Sequence, residues 1–179
     1  KDRYGAGAVA MHHGRALAPT LADVEGDVAV VVCSAVDYRT GETADMRAGT
    51  AAAHDRGALM LWDCSHAVGS IVLDLTGSGA DLATGCTYKH LCGGPGAPAW
   101  LWVRTELQER LAQPIRGWFG QRDQFAMDAD WDPVRGIGSW VSGTPPILAL
   151  AAVEEGARLV AEAGITGIEA RGRRLGYRR

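Results

Sequence analysis

Apolar positions in this chain fall into short dense runs and one long three-to-four pattern. Residues 28–33 form a continuous run rich in valine, the pattern of a strand buried on both faces. Asp37-Tyr38-Arg39-Thr40-Gly41 follows with turn chemistry. Asp45 can cap a helix that stops at Gly57. Residues 58–62 are a second strand with Asp63 at its C-terminal end, and residues 82–87 a third running into Tyr88-Lys89. A glycine run at 93, 94 and 96 precedes a fourth strand at 99–103, after which Thr105 can cap a short helix carrying Leu107 and Leu111.

Residues 116–143 show no period but hold Trp118, Phe119, Trp131 and Trp140; so long a loop in a compact domain usually covers something or carries function. Thr144-Pro145-Pro146 then predicts a helix start, with threonine as N-cap and proline in the first turn. Ile147, Leu150, Val153, Ala157 and Val160 give that helix one apolar face, and Gly164 ends it. Strands alternating with helices predict an α/β fold, a mainly parallel sheet with flanking helices.

Composition narrows the picture without directing it. At 47% apolar, 179 residues can bury a core, and 18 basic against 21 acidic residues leave a net charge of −3. No nucleic-acid partner is expected, since the basic cluster is confined to Arg171, Arg173, Arg174, Arg178 and Arg179. No apolar run reaches the roughly 18 residues of a membrane span, and no secretory signal is seen, so a cytoplasmic location is the expectation. Cys33, Cys64, Cys86 and Cys92 form no Cys-x-x-Cys pair and read as buried free thiols; His12-His13 lacks a second ligand pair for a metal. The chain starts at Lys1 and stops at Tyr177-Arg178-Arg179 inside a charged helical pattern, which suggests a piece of a longer protein.

Ligands of parallel sheets bind outside the carboxyl ends of the strands. Asp63 and Lys89 both fall there, and composition did not require it. A lysine amine can form a Schiff base with an aldehyde cofactor, and a carboxylate can keep a pyridine nitrogen protonated so that the ring accepts electrons. His66 can line such a site, and the Tyr88 phenol can bind phosphate or move a proton. Taken singly, each residue has a plainer reading. Lys89 is then a solvated side chain, Asp63 a turn cap, His66 a satisfied core histidine, Ser34 a strand terminator, and the tryptophans packing.

The combination resembles the kynureninases, fold-type I pyridoxal-phosphate enzymes related to the class V aminotransferases. The segments that carry the resemblance are Val36-Asp37-Tyr38-Arg39-Thr40-Gly41, Leu61-Trp62-Asp63-Cys64-Ser65-His66-Ala67-Val68-Gly69 and Gly79-Ala80-Asp81-Leu82-Ala83-Thr84-Gly85-Cys86-Thr87-Tyr88-Lys89. Gly93-Gly94-Pro95-Gly96-Ala97, Gly117-Trp118-Phe119-Gly120 and Ser142-Gly143-Thr144-Pro145-Pro146 complete the set. They cover most of residues 26–160 in order.

The resemblance implies a pyridoxal 5'-phosphate cofactor held on Lys89, with Asp63 on the pyridinium nitrogen. Ser34 and His66 would stand in the cofactor pocket, and Tyr88 would touch the phosphate. Trp118 and Thr144 match positions that reach the phosphate of a neighbouring subunit's cofactor, so a homodimer with shared sites is implied. The implied reaction is hydrolytic Cβ–Cγ cleavage of L-kynurenine, or 3-hydroxykynurenine, to the anthranilate and L-alanine, within tryptophan catabolism and NAD biosynthesis. Residues 1–160 would be part of the cofactor-binding large domain, and 161–179 the start of a helix leading to a small C-terminal domain. His90 and Cys92 stand where the family usually has tyrosine and asparagine. Another class V enzyme, a cysteine desulfurase or an aminotransferase, stays open as an alternative, as does an inactive remnant; residues 1–179 alone are expected to turn over poorly.

Overall fold

The computed structural model describes residues 21–127 and 130–176; the His12-His13 pair and the residues from Tyr177 onward lie outside the described residues. A four-stranded sheet in sequential order organises them: β1 (Val30–Ser34), β2 (Leu59–Asp63), β3 (Leu82–Gly85) and β4 (Trp100–Val103). Strands β1 to β3 are parallel, as expected, but β4 runs antiparallel to β3. The connection between β3 and β4 contains no crossover helix, so the chain returns alongside β3 in the opposite sense. Residues 64–80, between β2 and β3, likewise form successive turns and no helix.

Helix α1 (Met46–Asp55) crosses from β1 to β2, and the Asp45 carboxylate accepts the Ala48 amide at 3.0 Å as the expected N-cap. Its inner face packs on Met60 and Trp62, while Leu59 and Leu61 of the same strand point to the opposite layer. This is the period-two alternation of a strand between two apolar layers. Trp62 is fully buried and donates its indole N–H to the Thr50 hydroxyl of α1 at 3.1 Å, so its polar atom is matched. On the other side Leu82, Val103 and Leu107 form a smaller cluster with Leu111 and Trp140. Buried Asp81, at the opposite end of the sheet from Asp63, accepts the Met60 amide at 2.8 Å and contacts His54 at 2.7 Å, which joins α1, β2 and β3.

Four expectations need correction. Of the cysteines expected as buried thiols only Cys64 is buried, while Cys33 and Cys86 are half-buried and Cys92, on a turn, is exposed. Val30 and Val32 are exposed, because β1 is the edge strand and the second apolar layer stops short of it. Thr105 does not cap the 3₁₀ turn Thr105–Leu107; Arg104 holds that position without a side-chain bond. Nor is Thr144 the cap of the long helix: Pro146 precedes α2 (Ile147–Ala163) and no side chain caps it. The described residues of segment 116–143 hold two 3₁₀ helices, Trp118–Gly120 and Gly136–Trp140, and a bridge between Gln121 and Pro133. Gly164, at φ +77°, ends α2 in a conformation glycine adopts freely, and α3 (Ile165–Gly176) follows at once. Among the described residues no helix is long and apolar enough to cross a membrane.

Candidate active site

Strand register builds one edge of the site. Ser34 pairs with Asp63 and Asp63 with Thr84, so a hydroxyl, a carboxylate and a second hydroxyl stand in one row across the carboxyl ends of three parallel strands. Ser34 is exposed and Asp63 half-buried. One Asp63 oxygen accepts the Ser65 amide at 2.9 Å, an Asx-type bond that turns the chain as it leaves β2. The plain turn-capping role is therefore present, and it uses Oδ1 alone. The Asp63 carbonyl also accepts the Ala35 amide at 2.9 Å, and the Thr84 carbonyl accepts from Cys64 at 2.7 Å. Backbone bonds thus lock the row from both sides.

The turn after β2 carries His66 back over this edge, where Nε2 lies 2.9 Å from Lys89 Nζ. At that separation the pair forms a hydrogen bond only when one of the two nitrogens lacks its proton. A lysine so placed has a neighbour able to take its proton, which is what an amine nucleophile needs. Lys89 is half-buried, and its Nζ stands 5.7 Å from the centre of the half-exposed Tyr88 ring. Two further side chains close in. The Tyr38 ring stacks near His66 with centroids 6.5 Å apart, and the His90 ring meets it edge-on at the same distance. Burial, reinforced by the charges of His66 and Lys89, holds the His90 imidazole below its ordinary value.

Sequence reasoning missed Tyr38, Thr84 and His90 as members of this group. Tyr38 stood within a turn motif, and Thr84 becomes a neighbour of Asp63 only through strand register. His90 does carry a signal in the sequence, being adjacent to Lys89 at a position where the chain departs from the family pattern.

Trp118 and Thr144 belong to a second group. Gly117 lies so close to Ser142 that a Cβ there would overlap the Ser142 carbonyl, which sets the Trp118 and Thr144 motifs side by side. Trp118 packs edge-on against Phe119 at 4.7 Å and Phe125 at 5.8 Å, and remains 43% exposed; Thr144 is exposed. Among the described residues no hydrogen bond or ring contact joins this pair to Lys89, His66 or Asp63.

Amine, carboxylate, imidazole and phenol together match the needs of pyridoxal phosphate: an amine for its aldehyde, a carboxylate for its pyridinium nitrogen and donors for its phosphate. The donor set fits, with Lys89, Asp63, His66, Tyr88 and Ser34 as the residues that could hold the group. No cluster of three potential metal ligands occurs among the described residues.

The chain belongs to the aminotransferase class-V family, whose pattern it matches over residues 10–178. Within that class it is similar to a kynureninase of Pseudomonas fluorescens, 44% identical over 145 residues that make up 81% of this chain and 35% of the relative. A kynureninase of Deinococcus radiodurans is 48% identical over 128 residues, covering 72% of this chain and 31% of the relative. The chain therefore spans about a third of the length of the curated relatives it matches. In structure it resembles a cysteine desulfurase of Thermococcus onnurineus NA1, with a TM-score of 0.68 at 21% identity over 83% of this chain and 36% of that one. That likeness confirms the α/β architecture expected of a fold-type I enzyme.

Proposed function

We propose that the protein containing this chain hydrolyses the Cβ–Cγ bond of L-kynurenine or 3-hydroxykynurenine, giving the corresponding anthranilate and L-alanine, with pyridoxal 5'-phosphate on Lys89. The observation that carries this reading is the 42–48% identity to kynureninases on a framework that sets Lys89 beside His66. When bound, pyridoxal phosphate supplies an electron sink for the bond-breaking step.

The chain's own groups supply the rest. Lys89 Nζ would be the attachment point for the cofactor, and when not so engaged the same nitrogen would take and return a proton. His66 Nε2 receives the proton that Lys89 must shed to act as a nucleophile. Asp63, its Oδ1 engaged by Ser65, has Oδ2 to offer a pyridinium N–H. Tyr88 offers its hydroxyl to phosphate or to a moving proton, and Ser34 offers a donor at the same edge. Trp118 and Thr144, exposed and set apart from Lys89, suit the completion of a neighbouring subunit's site in a homodimer. A cytoplasmic setting in tryptophan catabolism, and a share in NAD biosynthesis, belong to this proposal.

The test uses the intact protein loaded with pyridoxal phosphate, reduced with borohydride and mapped by peptide mass spectrometry, alongside anthranilate release from kynurenine. A pyridoxyl group on Lys89 together with anthranilate is the expected result. Sulfide release from cysteine without anthranilate, or no adduct at Lys89, would overturn the proposal.

A further inference from the structure

The turn that carries Lys89 is gripped from two directions by bare backbone. On one side stands Gly69, three residues beyond His66 and at φ +82°. A Cβ at Gly69 would fall 2.6 Å from the His90 carbonyl oxygen and 2.7 Å from its carbon, closer than side chains pack. On the other side stands Gly156, the buried residue of α2. A Cβ there would overlap the Leu91 carbonyl oxygen outright and come within 2.9 Å of the Cys92 carbonyl carbon. Val153, one turn earlier on α2, presses the same loop at Gly93, where a Cβ would meet its Cγ2 at 2.9 Å.

Between these contacts Cys92 adopts φ +57°, a left-handed conformation that non-glycine residues rarely take and that persists where surroundings over-determine it. The turn's own bonds, Cys92 amide to Lys89 carbonyl at 3.1 Å and Gly93 amide to Thr87 carbonyl at 2.9 Å, tie that strained residue back to the lysine.

We infer that Gly69 and Gly156, with Val153, act as a two-sided clamp on the backbone of residues 90–92 and are positioning residues that set Lys89 Nζ against His66. The inference rests on the reading of Lys89 as the cofactor lysine. A shift of the turn by a fraction of an ångström changes the 2.9 Å Nζ to Nε2 contact directly, because His66 leads into Gly69 on the same segment. The clamp also makes α2 a support of the site, although most of that helix's large apolar residues are exposed.

The experiment compares Gly156→Ala, Val153→Ala and, as a control on α3 with open space around its Cα, Gly172→Ala, all in the intact protein loaded with pyridoxal phosphate. The absorbance of the cofactor on Lys89 is titrated against pH, and kcat and KM for kynurenine are measured separately. Gly156→Ala is expected to move the titration midpoint by about one unit. It should also lower kcat roughly ten- to a hundredfold while KM changes far less, and Gly172→Ala should match the parent. A folded Gly156→Ala protein with unchanged midpoint and kcat would overturn the clamp. Should that variant fail to fold, Val153→Ala decides, since it removes support without adding atoms: a moved midpoint upholds the clamp and an unmoved one overturns it. Absence of any Lys89 adduct in the parent protein sinks the proposed function and the clamp together. A normal adduct in the parent with unmoved variants sinks the clamp alone.

Discussion

Lys89 and Trp118 are assigned by family resemblance to the same kind of cofactor site, yet their surroundings are built differently. Around Lys89 the chain brings together groups from β1, β2, β3 and two turns, locked by strand register and backbone bonds, with His66 at 2.9 Å. Around Trp118 the contacts are aromatic and local, to Phe119 and Phe125, and the motif of Thr144, whose side chain is exposed, approaches through Ser142 at Gly117. Under the proposed function the first group would supply the proton-transfer and attachment chemistry within one chain. Among the described residues the second has shape and donors but no reactive partner of its own, which is the form expected of a surface that completes something outside itself.

That contrast can be broken most sharply at Asp63. Asp63→Asn keeps a side-chain oxygen for the Ser65 turn but removes the charge offered to a pyridinium nitrogen. Turnover of kynurenine by the intact protein should fall by roughly a hundredfold or more, with circular dichroism unchanged. Activity near the parent level would leave Asp63 as a turn cap only.

Trp118→Ala and Thr144→Ala should act on cofactor retention. Loss of a phosphate contact should weaken pyridoxal-phosphate affinity about tenfold or more, read by equilibrium dialysis. Mixing Trp118→Ala protein with inactive Lys89→Ala protein should restore activity, because a mixed dimer would contain one complete site. No recovery on mixing would place both groups in one chain's site and abolish the distinction.

Cysteine labelling separates the locked edge from the exposed turn. Burial, helped by the neighbouring Asp63 charge, pushes the Cys64 thiol up to about 11, whereas Cys92 is exposed. Iodoacetamide should modify Cys92 first and Cys64 at least roughly a hundredfold more slowly; equal rates would show that the edge opens readily.

The smallest effect concerns His90. Its imidazole is held below the ordinary value of 6.5, so the unfolded chain binds that proton more readily than the folded one. This contribution to stability is therefore fully present above about 6.5 and is lost as pH falls from there through the lower folded value. His90→Gln should flatten the decline of the unfolding midpoint over that window, measured by thermal melts. An unaltered slope would show that the crowding of His66, Lys89 and His90 carries no energetic weight.

Much of the framework was legible from spacing alone. Apolar runs bounded by turn residues located the four described strands to within two residues, and Asp45 and Gly164 marked helix ends because capping is a local interaction. The threonine caps failed for the converse reason. A hydroxyl beside a helix start satisfies the sequence rule whether or not the backbone aims it at an amide, and at Thr105 and Thr144 it does not. The direction of β4 and the bare face of β1 were hidden because they depend on what lies next to a strand, which hydrophobic period does not encode.

By itself the sequence determined the chemistry available: one lysine, one carboxylate, one imidazole and one phenol, spaced so that strand ends and the turns after them would carry them. Only the tertiary structure decided which of these meet. The pairing of Ser34, Asp63 and Thr84, the approach of His66 to Lys89 across 23 positions, and the grip of Gly69 and Gly156 on one turn all arise from register and packing. Those are long-range relations, set by how elements bury their apolar faces against one another, and local residue patterns cannot specify them.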